Sequence, residues 1–257
     1  MALTLAAPAP ITGLGKVRMA VRLSAMAGLL LICVPGYYAF RVLRLPNPWP
    51  RWFLGAIATI AGVKVRIAGE RVRRGAFFLS NHVSWLDVPA LAGASGAAFV
   101  AHDGLAAFPV LKWLCEMNDT VFVARHDRAS VARQIALVRA AIAQTAALAV
   151  FPEGTTSDGT GLLPFKSSLL SALDPVPAGI AVQPVVLDYG ADAPEIAWVG
   201  EEHGLDNFKR ILARGRPIHL TVRFLPPLEG EALRDRKTMA AAARGVMLAE
   251  LQRSHAV

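Results

Sequence analysis

Acidic residues are absent from the first 69 positions of this 257-residue chain, and cysteine is rare throughout it. The two cysteines, Cys33 and Cys115, argue against a disulfide framework. Both lie among apolar neighbours and are predicted to be buried free thiols, which would suit the cytoplasmic side of a membrane. The sequence also contains no internal repeat and no long linker.

Because acidic residues are so few there, the N-terminal part of the chain is strongly basic. Residues 1–74 contain eleven Lys or Arg and one acidic residue, Glu70, and the whole chain has a net charge of +8. Basic residues that flank apolar stretches favour the anionic headgroups of membrane lipids. A nucleic-acid surface would interleave basic residues with exposed aromatics and would contain fewer long apolar runs. We therefore predict membrane lipids as partners and no binding of nucleic acid.

Two apolar segments lie in this basic part, and hydrophobic residues make up 54% of the chain. Residues 25–40 carry no charge and approach the ~20 residues that span a bilayer, if the helix extends back to Met19 with Arg22 snorkelling. Residues 52–62 are shorter and favour an interfacial or re-entrant helix. We predict that residues 1–62 form membrane-anchoring helices, with a signal peptide or a buried core helix as alternatives for the first segment. Basic residues on both flanks leave its orientation open.

From residue 63 the pattern changes to short strands that alternate with helices. The predicted strands are 63–67, 76–80, 97–101, 121–123, 147–151, 180–187 and 219–224. The predicted helices are 109–117, 130–144 and 234–253. Strands that alternate with helices require crossover connections, so we predict one α/β domain over residues 63–257, with a mixed, largely parallel sheet flanked by helices.

A histidine and an aspartate follow the second of these strands, in the run NHVSWLD at residues 81–87. On a regular helix, five residues of separation place side chains ~140° apart, so His82 and Asp87 meet only if His82 lies in the turn and Asp87 on the first helical turn. Ser84 is predicted to cap that helix. The pair is then a general base and its orienting carboxylate, or else a structural capping cluster. A hydrolase triad with Ser84 as nucleophile would lack the usual Gly-x-Ser-x-Gly elbow.

Three further motifs follow, at residues 121–125 (VFVAR), 151–156 (FPEGTT) and 182–186 (VQPVV). In this order and spacing the four motifs resemble those of the glycerolipid acyltransferase family, which includes the 1-acylglycerol-3-phosphate acyltransferases. The resemblance covers residues 76–190 and implies a glycerol-3-phosphate acyltransferase-like fold. It also implies that His82 removes a proton from an acceptor hydroxyl while Asp87 holds the imidazole.

The resemblance implies a set of substrate-binding residues as well. Arg125 would bind the phosphate or another acidic headgroup of the acceptor, because guanidinium offers two parallel donors to an oxyanion. Gly154 would form a tight turn, beside which Glu153 and Thr155 would bond the acceptor. Lys166 would add a further positive charge.

The implied activity is transfer of a fatty acyl group from acyl-CoA or acyl-carrier protein to the free hydroxyl of a lysophospholipid. The first choice of acceptor is 1-acyl-sn-glycerol-3-phosphate. Lyso-ornithine lipid or another lysolipid is the alternative, because Thr156 stands where many lysophosphatidate enzymes carry Arg and His102 where family members usually carry Lys. A lysophospholipid hydrolase and a non-catalytic membrane protein are the remaining alternatives.

No cofactor is expected, because an acyl thioester already has a good leaving group. No metal is expected either, since the remaining histidines fit no metal-ligand pattern; they are His126, His203, His219 and His255. The catalytic domain is expected at the membrane, on the cytoplasmic face of the inner membrane.

Overall fold

Seven short strands form one sheet at the centre of the fold in a computed structural model, which describes residues 10–123 and 131–255. The strands are β1 (Val63–Ala68), β2 (Ala76–Ser80), β3 (Ala98–His102), β4 (Val121–Val123), β5 (Ala147–Val150), β6 (Ala181–Asp188) and β7 (Ile218–Phe224). Their order is β1-β7-β6-β2-β5-β3-β4, and every neighbouring pair is parallel except β6 with β7. The predicted mixed, largely parallel sheet is confirmed.

Helices cover both faces of this sheet. They are α1 (Gly13–Val42), α2 (Trp49–Ile60), α3 (Asp87–Ser95), α4 (Pro109–Met117), α5 (Val131–Gln144), α6 (Ala193–Ile196), α7 (Gly204–Ala213) and α8 (Arg236–His255). Phe78 of β2 packs into a core with α2, α3, α6 and α7, whereas Phe77 and Leu79 pack into a core with α5 and α8. Strand β2 is therefore buried on both faces, which explains its continuous apolar sequence.

Helix α1 is attached to the sheet domain through its N-terminal half. The guanidinium of Arg22 donates hydrogen bonds to the carbonyl groups of Ile211 and Leu212, and Arg18 donates to that of Ala213. These carbonyl groups lie at the C-terminal end of α7, where a cation is favoured by the helix dipole. Further along, Leu31 and Val42 are largely exposed. Among the described residues, α1 is the one helix long and apolar enough to cross a membrane.

Helix α2 packs closely on α3 because both contribute a glycine at the contact. A Cβ atom on Gly93 would lie 2.6 Å from the Cα atom of Gly55, so a larger residue would force the helices apart. Ala58 in α2 and Ala61 just after it are buried in the same core as Phe78. The predicted boundary at residue 62 stays a prediction, but a cut there would remove part of this core.

Candidate active site

The catalytic candidates meet at one edge of the sheet, where the parallel neighbours β2 and β5 both end. His82 follows β2 and Phe151 follows β5, and their rings stack with centroids 4.2 Å apart. Asn81 fixes the chain just before His82. Its buried side-chain amide donates to the carbonyl of Leu187 at 3.0 Å and accepts from the N–H of the same residue at 2.7 Å. Strand β6 therefore anchors the turn that carries the histidine.

His82 and Asp87 are in direct contact. The Nδ1 atom of His82 lies 2.7 Å from Oδ2 of Asp87, which is fully buried. An ionised carboxylate only accepts hydrogen bonds, so Nδ1 carries the proton and the lone pair of the neutral ring lies on Nε2. The His82 side chain is 20% exposed and lines a cavity. The arrangement provides a base whose free nitrogen is accessible to a ligand.

Three further donors converge on the carboxylate of Asp87. The backbone N–H groups of Val83 and Ser84 donate to Oδ2 at 2.5 and 2.9 Å, and the hydroxyl of Tyr189 donates to Oδ1 at 2.7 Å. Burial raises the pKa of Tyr189 well above its ordinary value, and the neighbouring charge of Asp87 adds to the shift, so the hydroxyl keeps its proton. A buried carboxylate with this number of donors is held in one orientation.

Ser84 does not cap α3, which corrects the sequence prediction. The residue at the N-cap of α3 is Leu86, and no side chain caps it. The hydroxyl of Ser84 accepts from the N–H of Leu86 at 3.3 Å. Asp87 is the first residue of the helix, and its carboxylate accepts from N–H groups of the preceding turn, so it stabilises the turn and not the end of the helix.

The third motif, at residues 151–156, also holds the turn that carries His82. The two carboxylate oxygens of Glu153 accept from the N–H groups of His82 at 2.9 Å and Leu163 at 2.8 Å. Burial raises the pKa of Glu153, while the two backbone hydrogen bonds act in the opposite direction. Gly154 has a φ of +70°, and a Cβ atom there would lie 2.8 Å from Nζ of Lys166. The turn therefore requires glycine for its conformation and for the space that Lys166 occupies.

The cavity in front of His82 has a volume of about 450 Å³. Thr155, His102 and Leu105 line it together with the segment 198–202, which we call the wall segment. The hydroxyl of Thr156 donates to the carbonyl of Trp198. No Lys or Arg lies among the described residues that line the cavity. Its described walls therefore carry apolar side chains, two histidines, two threonines and Glu202.

Known proteins share both the sequence pattern and the fold. Residues 64–188 match the family described as Acyltransferase. A lyso-ornithine lipid O-acyltransferase from Brucella abortus is 31% identical over 247 residues, which is 88% of this chain and 91% of that protein. A 1-acyl-sn-glycerol-3-phosphate acyltransferase from Neisseria gonorrhoeae is 36% identical over 141 residues, 52% of each chain. The crystal structure of the 1-acyl-sn-glycerophosphate acyltransferase PlsC from Thermotoga maritima has the same fold, with a TM-score of 0.66, 20% identity and coverage of 95% of this chain and 98% of that one.

The chain belongs to the acyltransferase family. The identity to the Brucella protein over nine-tenths of its length decides this. The predicted family, the fold and the assignment as an enzyme are confirmed. Of the predicted site residues in this acyltransferase, His82, Thr155 and Gly154 line one cavity, with Asp87 directly behind the histidine.

The other predicted site residues are placed differently. Glu153 is buried with both oxygens bonded to backbone, so the structure gives it a role in holding His82, and its contact with substrate stays a prediction. Lys166 is exposed and lies over the Gly154 turn, outside the residues that line the cavity. Arg125 falls outside the described residues, so its predicted role also stays a prediction.

Two positions, Thr156 and His102, are expected from the resemblance to depart from the family pattern. Thr156 lines the cavity and links the third motif to the wall segment through its hydroxyl. His102 also lines the cavity, and its Nδ1 accepts from the N–H of Gly104 at 2.9 Å while its Nε2 lies 3.2 Å from Oδ1 of Asp103. Both positions are thus engaged in contacts within the protein.

Sequence reasoning missed two parts of the site. Tyr189 is 102 residues from Asp87, and one tyrosine just after a predicted strand gave no signal of that contact. The wall segment is held by Arg210, which pairs with Glu202 through two hydrogen bonds of 2.9 and 2.8 Å. The apolar spacing of Leu205, Phe208 and Leu212 was the available signal for α7, the helix that carries Arg210.

Proposed function

We propose that this acyltransferase moves a fatty acyl group from a thioester to the hydroxyl of a lysolipid, and that lyso-ornithine lipid is its acceptor. One observation carries the reaction type. His82 lines a cavity while its Nδ1 is bonded to a buried carboxylate, which leaves Nε2 as the free ring nitrogen, as a general base for a hydroxyl requires.

The proposed reaction transfers one proton and one acyl group. Nε2 of His82 takes the proton of the acceptor hydroxyl as the oxygen attacks the thioester carbonyl carbon. The resulting tetrahedral intermediate collapses, the C–S bond breaks, and the thiolate leaves and takes the proton from His82. Asp87 stabilises the imidazolium between the two transfers, and the hydroxyl of Tyr189 keeps Asp87 oriented.

The negative oxygen of the intermediate needs a donor. The N–H of Gly154 is already bonded to the carbonyl of Phe151 at 3.0 Å. The N–H of Thr155 has no acceptor within the described part of the chain, and Thr155 lines the cavity. We assign the oxyanion contact to Thr155 on this basis.

The acyl donor in this proposal is acyl-CoA or acyl-carrier protein, acting as a substrate. The reaction requires no cofactor, because the thioester is already activated. The proposal also includes attachment to the membrane through α1, the one described helix long and apolar enough to cross it, with the catalytic domain on the cytoplasmic face. Two free cysteines suit that reducing compartment.

The choice of lyso-ornithine lipid as acceptor rests on Thr156 and on the relatives. A phosphomonoester is bound most strongly by Arg or Lys. Thr156, where a cation would be expected for a phosphate headgroup, bonds to the wall segment instead. Ornithine lipid has no phosphate, and the Brucella relative that matches most of the chain is named for this acceptor. The second candidate is 1-acyl-sn-glycerol-3-phosphate, the acceptor for which the Neisseria relative is named.

The test is acylation by the purified full chain with labelled acyl-CoA or acyl-carrier protein. Each donor is offered with lyso-ornithine lipid, 1-acylglycerol-3-phosphate and lysophosphatidylcholine in parallel, and the lipid products are separated. We expect acylated ornithine lipid as the main product, and its absence with His82→Ala. Faster acylation of the phosphate acceptor would establish the second candidate. Release of free fatty acid without any acylated lipid would instead show a hydrolase.

A further inference from the structure

An apolar surface lies beside the cavity and takes no part in the mechanism. It is formed by Leu105, on the 3₁₀ helix Asp103–Ala107, and by Phe108, Val110 and Leu111 at the start of α4, and we call it the apolar rim. Phe108 and Val110 are 64% and 65% exposed. Neither of the two helices has a single buried residue. Leu105 also lines the cavity, so the rim and the cavity are continuous.

The apolar rim adjoins the exposed face of α1. The indole N–H of Trp113 in α4 donates to the hydroxyl of Tyr38 in α1 at 3.0 Å. Leu31 and Val42 lie seven and four residues from Tyr38 and therefore share its face of the helix. They are 77% and 80% exposed. The two elements thus present apolar side chains on both sides of a tyrosine–tryptophan contact, and these two residue types concentrate at membrane interfaces.

The charges around the rim also suit a lipid surface. The 3₁₀ helix and α4 contain two acidic residues, and both form ion pairs: Asp103 with His102, and Glu116 with Lys112. The last turn of α1 carries Arg41, and no acidic residue precedes Glu70 in the chain. Exposed apolar side chains flanked by cations are typical of segments that lie at the boundary between headgroups and acyl chains.

We infer that the apolar rim inserts into one leaflet of the membrane beside α1, and that the acceptor lipid moves from this leaflet into the cavity past Leu105. The occupant of the rim is therefore the acyl-chain region of a bilayer. The path of the acceptor rests on the proposed function, whereas insertion of the rim does not depend on it.

The first test measures binding of the full chain to vesicles of phosphatidylethanolamine and phosphatidylglycerol. The variant Phe108→Ser/Val110→Ser keeps Leu105 and the cavity intact. Its partition coefficient is expected to fall about tenfold or more, because two large apolar side chains no longer leave water. The matched control is Leu137→Ser/Val246→Ser, which alters two exposed apolar residues of α5 and α8 on the other face of the sheet. Phe108→Trp/Val110→Leu should bind like the wild type.

The second test separates insertion from catalysis. With acceptor in vesicles, the serine variant should show a raised KM, and with a short-chain acceptor dissolved as monomers its kcat and KM should match the wild type. Unchanged vesicle binding, or an equal loss in the control, would overturn the inference. Binding is measured without any reaction, so a failure to acylate lyso-ornithine lipid would count against the proposed function and leave the binding result standing.

Discussion

The catalytic turn and the wall segment both line the cavity and are joined by one backbone hydrogen bond, from the N–H of Trp198 to the carbonyl of Val83 at 2.9 Å, but they are otherwise held in different ways. In the turn, Asp87 accepts from His82, Val83 and Ser84, all within five residues of it, and from one distant hydroxyl. The wall segment is held by two side chains from outside it, those of Thr156 in the third motif and Arg210 in α7. The contact between His82 and Asp87 is therefore set mostly by neighbouring residues, whereas the position of the wall segment depends on the packing of the third motif and of α7.

This difference predicts two kinds of defect. Changes in the turn should lower kcat, because they weaken the contact through which Asp87 stabilises the protonated ring of His82. Changes at the wall segment should mainly raise the KM for the acceptor, because they alter how the lipid is held before and during the reaction alike.

The largest effect is expected for His82→Ala. Loss of the base should lower kcat by about 10²–10⁴-fold, the usual contribution of general base catalysis. Thermal unfolding should change little, because the side chain is partly exposed and the turn remains held by Asp87 and Asn81. The control His219→Ala removes an exposed histidine from β7 and should leave kcat unchanged. Transfer at the wild-type rate by His82→Ala would remove His82 from the mechanism.

A smaller effect is expected for Tyr189→Phe, which removes one of the donors to Asp87 without changing the shape of the core. A hydrogen bond to a charged group contributes about 1.5–3 kcal/mol, so kcat should fall roughly tenfold if part of this is lost at the transition state. The KM for the acceptor should not change, since the tyrosine does not line the cavity. The control is Tyr37→Phe, which removes the hydroxyl of a buried tyrosine in α1. If Tyr189→Phe lowered the free energy of unfolding but left kcat at the wild-type value, the role of Tyr189 would be structural and not catalytic.

The wall segment is probed by Thr156→Val, which keeps the side-chain shape but removes the hydroxyl bonded to the carbonyl of Trp198. The KM for the lysolipid should rise about threefold to tenfold, the equivalent of one neutral hydrogen bond, with kcat little changed. Thr156→Ser retains the hydroxyl and should restore the KM. A drop in kcat without a change in KM would contradict the separation between turn and wall segment.

The same separation explains what could be predicted from the sequence. The sheet, the strand ends and the contact of His82 with Asp87 follow from apolar patterns and from a motif of seven residues, so all of them could be predicted. Tyr189 and Arg210 reach the site only through the order of the strands and the packing of α7, and no local pattern encodes those contacts. Burial of Glu153 beneath the turn is likewise a result of packing, although its motif was recognised.

The smallest effect concerns Glu153 and appears in the pH dependence of stability. Burial raises the pKa of this carboxyl above its ordinary value of 4.5, so its contribution to stability is fully present below that value and is lost as the pH rises through the higher pKa of the folded state. Glu153→Gln cannot titrate. The free energy of unfolding of the wild type relative to this variant should therefore fall between acidic and neutral pH.

Urea unfolding of both proteins in detergent, at several pH values from about 4 to 7, measures this difference. Glu231→Gln is the matched control, since that carboxylate is 88% exposed. A difference for Glu153→Gln that stays flat or grows with pH would mean that the carboxylate is stabilised in its charged form by the N–H groups of His82 and Leu163. In that case the hydrogen bonds beneath the catalytic turn, and not burial, would determine the protonation of Glu153.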